Sequence, residues 1–138
     1  GQTRDYIFGY TILNDVSARD VQTAHKQWYF GKSLDGFTPI GPCIVTADAF
    51  ADYPPRLGIR SFVNGEKRQD SNTALQIFDI DHVIAELSQG MTLKAGTIIA
   101  TGTPAGVGMG MDPPQFLKPG DVVRCEIDGI GTLTNPVE

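Results

Sequence analysis

The sequence predicts a mainly β protein of the α+β class, a single domain of 138 residues with short helices. Three observations predict it. Sixteen Gly and nine Pro are spread along the chain, as tight turns between short strands require. Several short runs are rich in aromatic and β-branched residues. Only two stretches carry a helical pattern, and no linker or low-complexity segment divides the chain.

The elements follow in order. Residues 6–13 (YIFGYTIL) read as a buried strand. SARD, residues 17–20, matches a capping box with Ser17 at the N-cap and an acid three positions on, so a short helix is expected from there to about His25. Residues 42–47 (PCIVTA) read as another strand. In residues 57–70, LGIRSFV leads through Asn64-Gly65 into EKRQD. Asn-Gly supplies the positive φ angles of a type I′ turn, which predicts a hairpin whose polar second strand faces water. Ile80, Val83, Ile84 and Leu87 have the i, i+3, i+4, i+7 spacing of an amphipathic helix, with Gly90 as its C′ stop. LKAGTII (93–99) and LKPGDVV (117–123) echo each other, each a turn carrying Gly followed by a strand. Asp128-Gly129 turns the chain into a last strand, residues 130–137.

Composition narrows the function classes. Hydrophobic content of 41% and charged content of 20% suit a soluble globular chain. A net charge of -5, with eleven scattered basic residues, argues against nucleic acid or an anionic membrane surface as partner. No apolar run reaches the roughly 18 residues of a membrane span. Cys43 and Cys125 have no metal-site spacing and read as two small buried residues in a reducing, cytoplasmic setting. The opening Gly1-Gln2-Thr3-Arg4, without an initiator Met, reads as a processed or truncated start.

Chemistry-bearing residues gather in three segments. In the first, Asp15 follows a strand, where a carboxylate can point into a cleft. It reads either as a helix N-terminal acid or as one ligand of a hard cation. Arg19 and Gln22 are three apart and share a helix face, suited to an anion or carbonyl, or simply to water. In the second, Gly31-Lys32-Ser33 resembles the end of a phosphate loop, but Lys26 stands where that loop needs its first glycine. In the third, ATGTPAGVGMG (100–110) offers glycine backbone and the hydroxyls of Thr101 and Thr103, either to a ligand or as a β turn. His82 lies off the apolar helix stripe and reads as a surface residue; His25 sits near a helix end. No HExxH or nucleophile signature is present. Trp28, Tyr29 and Phe30 suggest core or interface packing.

Four stretches in this order resemble the fumarylacetoacetate hydrolase family: GYTILNDVSARDVQ (9–22), GKSLDGFTPIGP (31–42), RQDSNTALQIF (68–78) and TGTPAGVG (101–108). The resemblance spans residues 6–137 and is nearest to bacterial members that act on 2-oxo acids and their enols in aromatic catabolism. It implies a β-rich roll or sandwich of the family's C-terminal type, often a homodimer, around Mg²⁺ or Mn²⁺. It implies Asp15 as a metal ligand, Arg19 and Gln22 facing substrate, Lys32 beside the metal, and Thr103 on the substrate's carboxylate end. Lys32 and Gln22 would then stabilise an enolate oxygen, and Arg19 would orient a carboxylate. The family's Glu-x-Glu ligands stand upstream of its NDxSARD motif; the 13 residues before Asn14 contain no Glu. The general base has no counterpart either. The resemblance therefore implies residues 1–138 as a catalytic core incomplete at its N-terminus. The expected activity is metal-dependent hydrolysis of a C–C bond in a fumarylacetoacetate- or acylpyruvate-like acid. Rivals are isomerisation or decarboxylation of a 2-hydroxymuconate- or 2-hydroxyhepta-2,4-dienedioate-like acid, and, from another class, a non-catalytic binding domain of the same fold.

Overall fold

The computed structural model describes residues 3–24 and 26–138, so the readings made of His25 lie outside the described residues. Among the described residues six strands and two α-helices form: β1 (Gly9–Leu13), α1 (Arg19–Ala24), β2 (Ile40–Thr46), β3 (Gly58–Val63), β4 (Glu66–Asn72), α2 (Ile80–Gly90), β5 (Val122–Ile127) and β6 (Gly131–Pro136). β1 and β2 pair antiparallel as one sheet; the other runs β4-β3-β5-β6, antiparallel throughout. The expected β-rich architecture is the one observed. Among the described residues the buried hydrophobic side chains are Ile12, Val123 and Ile130, one from β1 and two from the β5–β6 hairpin. Among the described residues no helix is long and apolar enough to cross a membrane.

The β3–β4 hairpin forms as its sequence requires. Asn64 and Gly65 take φ angles of 51° and 83°. Asn64 also ties the turn to the next strand: its Nδ2 donates to Asp121 Oδ1, and its Oδ1 accepts from the Val122 N–H, both at 2.8 Å. Val63 pairs with Glu66 and Phe62 with Lys67, but Ser61 then pairs with Gln69, so Arg68 is an extra, bulged residue. β4 is therefore not simply a water-facing strand. Its residues Arg68 and Gln69 lie against the glycine-rich loop, with the Arg68 guanidinium on Gln115 and Met111 Sδ.

Other expectations are corrected. Ser17 does not cap α1: its hydroxyl donates to the Asp15 carbonyl at 3.0 Å, and the helix begins at Arg19. Residues 93–99 make the turn, with Thr97 N–H on Lys94 O at 3.0 Å, but residues 97–100 form no strand. The second echo does lead into β5. Asp79 caps α2 by accepting from the His82 N–H, and Gly90 is the last helical residue, with no left-handed C′ turn. His82 is exposed and stacks on Phe78. Cys43 is exposed and Cys125 half-buried, both as free thiols. Trp28, Tyr29 and Phe30 are exposed and form no core in this chain.

Candidate active site

The β1–β2 ladder runs one bond past β1, with the Asn14 N–H on Pro39 O at 3.0 Å. Asp15 therefore stands just beyond the end of a strand. A 3₁₀ turn over Phe30–Lys32 then docks on the start of α1, where the Ala18 N–H donates to Gly31 O at 2.8 Å. Gly31 is buried there. A Cβ on it would lie 2.8 Å from Gln22 N and 2.9 Å from Ala18 O, so no other residue lets the turn approach this closely.

That docking brings Lys32 to Asp15. Its Nζ lies 2.5 Å from Asp15 Oδ2 and 3.0 Å from Ser17 Oγ. The Asp15 side chain keeps 42% of its exposure and Lys32 25%. An ion pair this wet contributes at most about 1 kcal/mol. Its consequence is positional: a long, flexible ammonium is pinned between two anchors, and among the described residues Asp15 Oδ1 has no hydrogen-bond partner. Arg19 Nη1 donates to Gln22 Oε1 at 2.9 Å, and Gln22 is only 5% exposed. Neither is the pair of idle surface groups that their helical spacing alone allows. A buried Gln with its oxygen occupied directs its amide N–H groups to whatever lies beside it.

Thr103 belongs to a different support. Its Oγ1 accepts from Gln69 Nε2 at 2.8 Å. Among the described residues no hydrogen bond or ion pair joins Thr103 to Asp15, Lys32, Arg19 or Gln22. The sequence reading assigns neither Ser17 nor Gln69 to the site. Ser17 was spent on a capping motif, and the bulge at Arg68 hides the register that turns Gln69 toward the loop.

A groove of about 1510 Å³ lies elsewhere, between β1, α2 and residues 91–99. It is lined mostly by apolar side chains, among them Tyr6, Ile44, Ile84 and Ile98, and by none of the five predicted site residues. Volume alone does not mark the chemistry here; convergent polar groups do. As for a metal, among the described residues no three His, Cys, Asp or Glu side chains cluster. One carboxylate, already sharing an oxygen with an ammonium, does not hold a divalent ion by itself. Asp15 fits as a single ligand only.

The family model for the C-terminal region of fumarylacetoacetate (FAA) hydrolase matches residues 1–138. The chain belongs to the fumarylacetoacetate hydrolase family. One relative within the family, oxaloacetate tautomerase YisK of Bacillus subtilis, is 52% identical over 133 residues, 96% of this chain and 44% of that protein. A solved fumarylacetoacetate hydrolase from Exiguobacterium antarcticum superposes with a TM-score of 0.95 at 52% identity, over 99% of this chain and 49% of that one. A 2-hydroxyhepta-2,4-diene-1,7-dioate isomerase from Mycobacterium marinum gives 0.85 at 47% identity, over 98% and 49%. The chain thus spans about half the length of the family members it matches. Their β-rich fold is the fold observed here, and the named relatives are enzymes that process small molecules.

Proposed function

We propose that the intact protein is an isomerase that interconverts the keto and enol forms of a small 2-oxo dicarboxylate. The observation that carries this reading is the Lys32 ammonium pinned between Asp15 and Ser17. Two family relatives, the tautomerase and the dioate isomerase, support isomerisation over cleavage. In such a reaction a C-3–H bond breaks, its electron pair becomes the C-2=C-3 bond, and the C-2 oxygen gains a proton. Nothing is oxidised or reduced. Negative charge builds on that oxygen in the enolate, where a Lys32 N–H would donate to it. The Gln22 amide would donate a second hydrogen bond. The free N–H groups of Arg19 would hold a carboxylate, and the Thr103 hydroxyl the other. A Mg²⁺ or Mn²⁺ ion would polarise the 2-oxo group; Asp15 Oδ1 would be one ligand, with the remaining donors supplied from beyond this sequence. A cytoplasmic homodimer is part of the same proposal, on the family resemblance and the two free thiols.

C–C bond hydrolysis is the second reading, favoured by the close match to a solved fumarylacetoacetate hydrolase. The intact protein, given Mg²⁺, should be assayed for decay of enol-oxaloacetate absorbance and for cleavage of an acylpyruvate. We expect enol decay to be accelerated and Lys32→Ala or Asp15→Ala to lower that rate about 10²–10³-fold with the fold kept. Acylpyruvate cleavage without enol turnover would establish hydrolysis instead, and full activity in Lys32→Ala would refute the site.

A further inference from the structure

We propose that Gln69 sets the hydrogen-bond direction of Thr103, making its hydroxyl a dedicated donor to a carboxylate of the substrate. This rests on the reading of Thr103 as a substrate-binding residue. Gln69 lies on β4 and makes three side-chain bonds. Its Nε2 donates to Pro104 O and to Thr103 Oγ1, each at 2.8 Å, and its Oε1 lies 2.7 Å from Ser61 Oγ. A peptide carbonyl can only accept, so the Pro104 contact alone fixes which end of the amide faces the loop. Ser61, its cross-strand partner, must then donate to the oxygen. Both amide hydrogens are committed, one of them to Thr103.

Thr103 therefore receives a hydrogen bond it cannot reverse. Its own hydroxyl proton has no acceptor among the described residues, and the residue is exposed. A hydroxyl that accepts is polarised to donate more strongly. Such a group suits a carboxylate, which only accepts, and discriminates against a ligand that offers an N–H or O–H at that point. The loop has a second anchor on β4 besides Gln69: a Cβ on Gly106 would collide with the Arg68 carbonyl oxygen, so backbone meets backbone there. Gln69 is a positioning residue, not a catalytic one.

The test uses the intact protein and malonate, a dicarboxylate that cannot turn over, by titration calorimetry. Gln69→Glu keeps the shape but replaces the donor with an acceptor, which would capture the Thr103 proton. We expect malonate affinity to fall at least about tenfold, the substrate KM to rise with kcat nearly unchanged, and Gln69→Leu to cost clearly less than Gln69→Glu. On a Thr103→Val background, Gln69→Glu should add less than about twofold. A Leu variant as damaging as Glu, or losses that multiply with Thr103→Val, would show a merely structural role and overturn the inference. If Gln69→Glu does not fold, Thr103→Val carries the test: it should cost more malonate affinity with Gln69 present than in Gln69→Leu, and equal losses refute the inference. Wild-type protein that binds malonate without tautomerising oxaloacetate would sink the proposed reaction and leave this assignment standing. Wild-type protein that tautomerises oxaloacetate but binds no malonate would refute this assignment and leave the proposed reaction standing.

Discussion

Gly31 and Gly106 are the two residues whose missing Cβ decides where the chemistry stands. Gly31 lets the Lys32 turn touch α1; Gly106, at φ 109°, lets the glycine-rich loop touch β4. In the sequence the loop's glycines fitted a ligand cradle or a turn equally well. The structure gives Gly106 a strand backbone for a neighbour, which composition cannot reveal because that neighbour is 38 residues away. Gly106→Ala combines a left-handed backbone with a clash. We expect it to cost about 1–3 kcal/mol in chemical denaturation of the intact protein; a change below about 0.5 kcal/mol would mean that the loop reseats freely. The family motifs imply Asp15 as a metal ligand and Lys32 beside the metal, not a contact of one with the other. Their 2.5 Å contact rests on tertiary docking that neither segment encodes alone.

Among the elements, the β3–β4 hairpin shows both what was readable and what was not. Asn64-Gly65 announced the turn, and the pairing Val63–Glu66 follows from it. A plain two-residue hairpin would also set Ser61 opposite Arg68. The bulge slips the register by one, which exchanges the faces of every residue beyond it. No local signal marks that slip, so Gln69 stayed without a role. Helix α2 was legible from its apolar spacing. Its tie to the loop before β3 was not: Tyr53 Oη donates to Asp81 Oδ1 across 28 residues. Burial, and then this bond, push the Tyr53 phenol up; the bond holds the Asp81 carboxyl below its usual range. The signs oppose each other. Asp81's contribution is present above an ordinary carboxylate pKa of about 3.9 and fades as pH falls through its lowered value. Tyr53's is present below about pH 10 and fades as pH rises toward its raised value. Stability measured against pH should therefore decline less steeply at both ends in Tyr53→Phe than in the wild type. Parallel curves would show that the pair is not linked to folding.

As a whole, the chain exposes 9457 Å² of surface. A compact monomer of 14.9 kDa exposes about 7,000 Å². The excess, roughly 2,500 Å², is about three times what one partner contributes to a standard protein interface. It includes Tyr6, Phe8, Ile44 and Ile98, which line the large groove and are all more than half exposed. Among the described residues β1 and β2 each pair on one side only. The fold class was readable from turns and strand runs, but this unfinished packing was not, since a sequence states which residues are apolar and not which find partners. Expressed alone, residues 1–138 should self-associate in ultracentrifugation and bind a hydrophobic dye. A monomer with no dye binding and a sharp melt would contradict this. The hairpin turn also bears on how the molecule ages. Asn-Gly is the pair at which a backbone nitrogen most readily attacks the side-chain carbonyl and expels ammonia. Asn64 is spared while Asp121 and Val122 grip both ends of its carboxamide. Deamidation at this site then becomes a slow clock, advancing only in the moments when the turn lets go of β5.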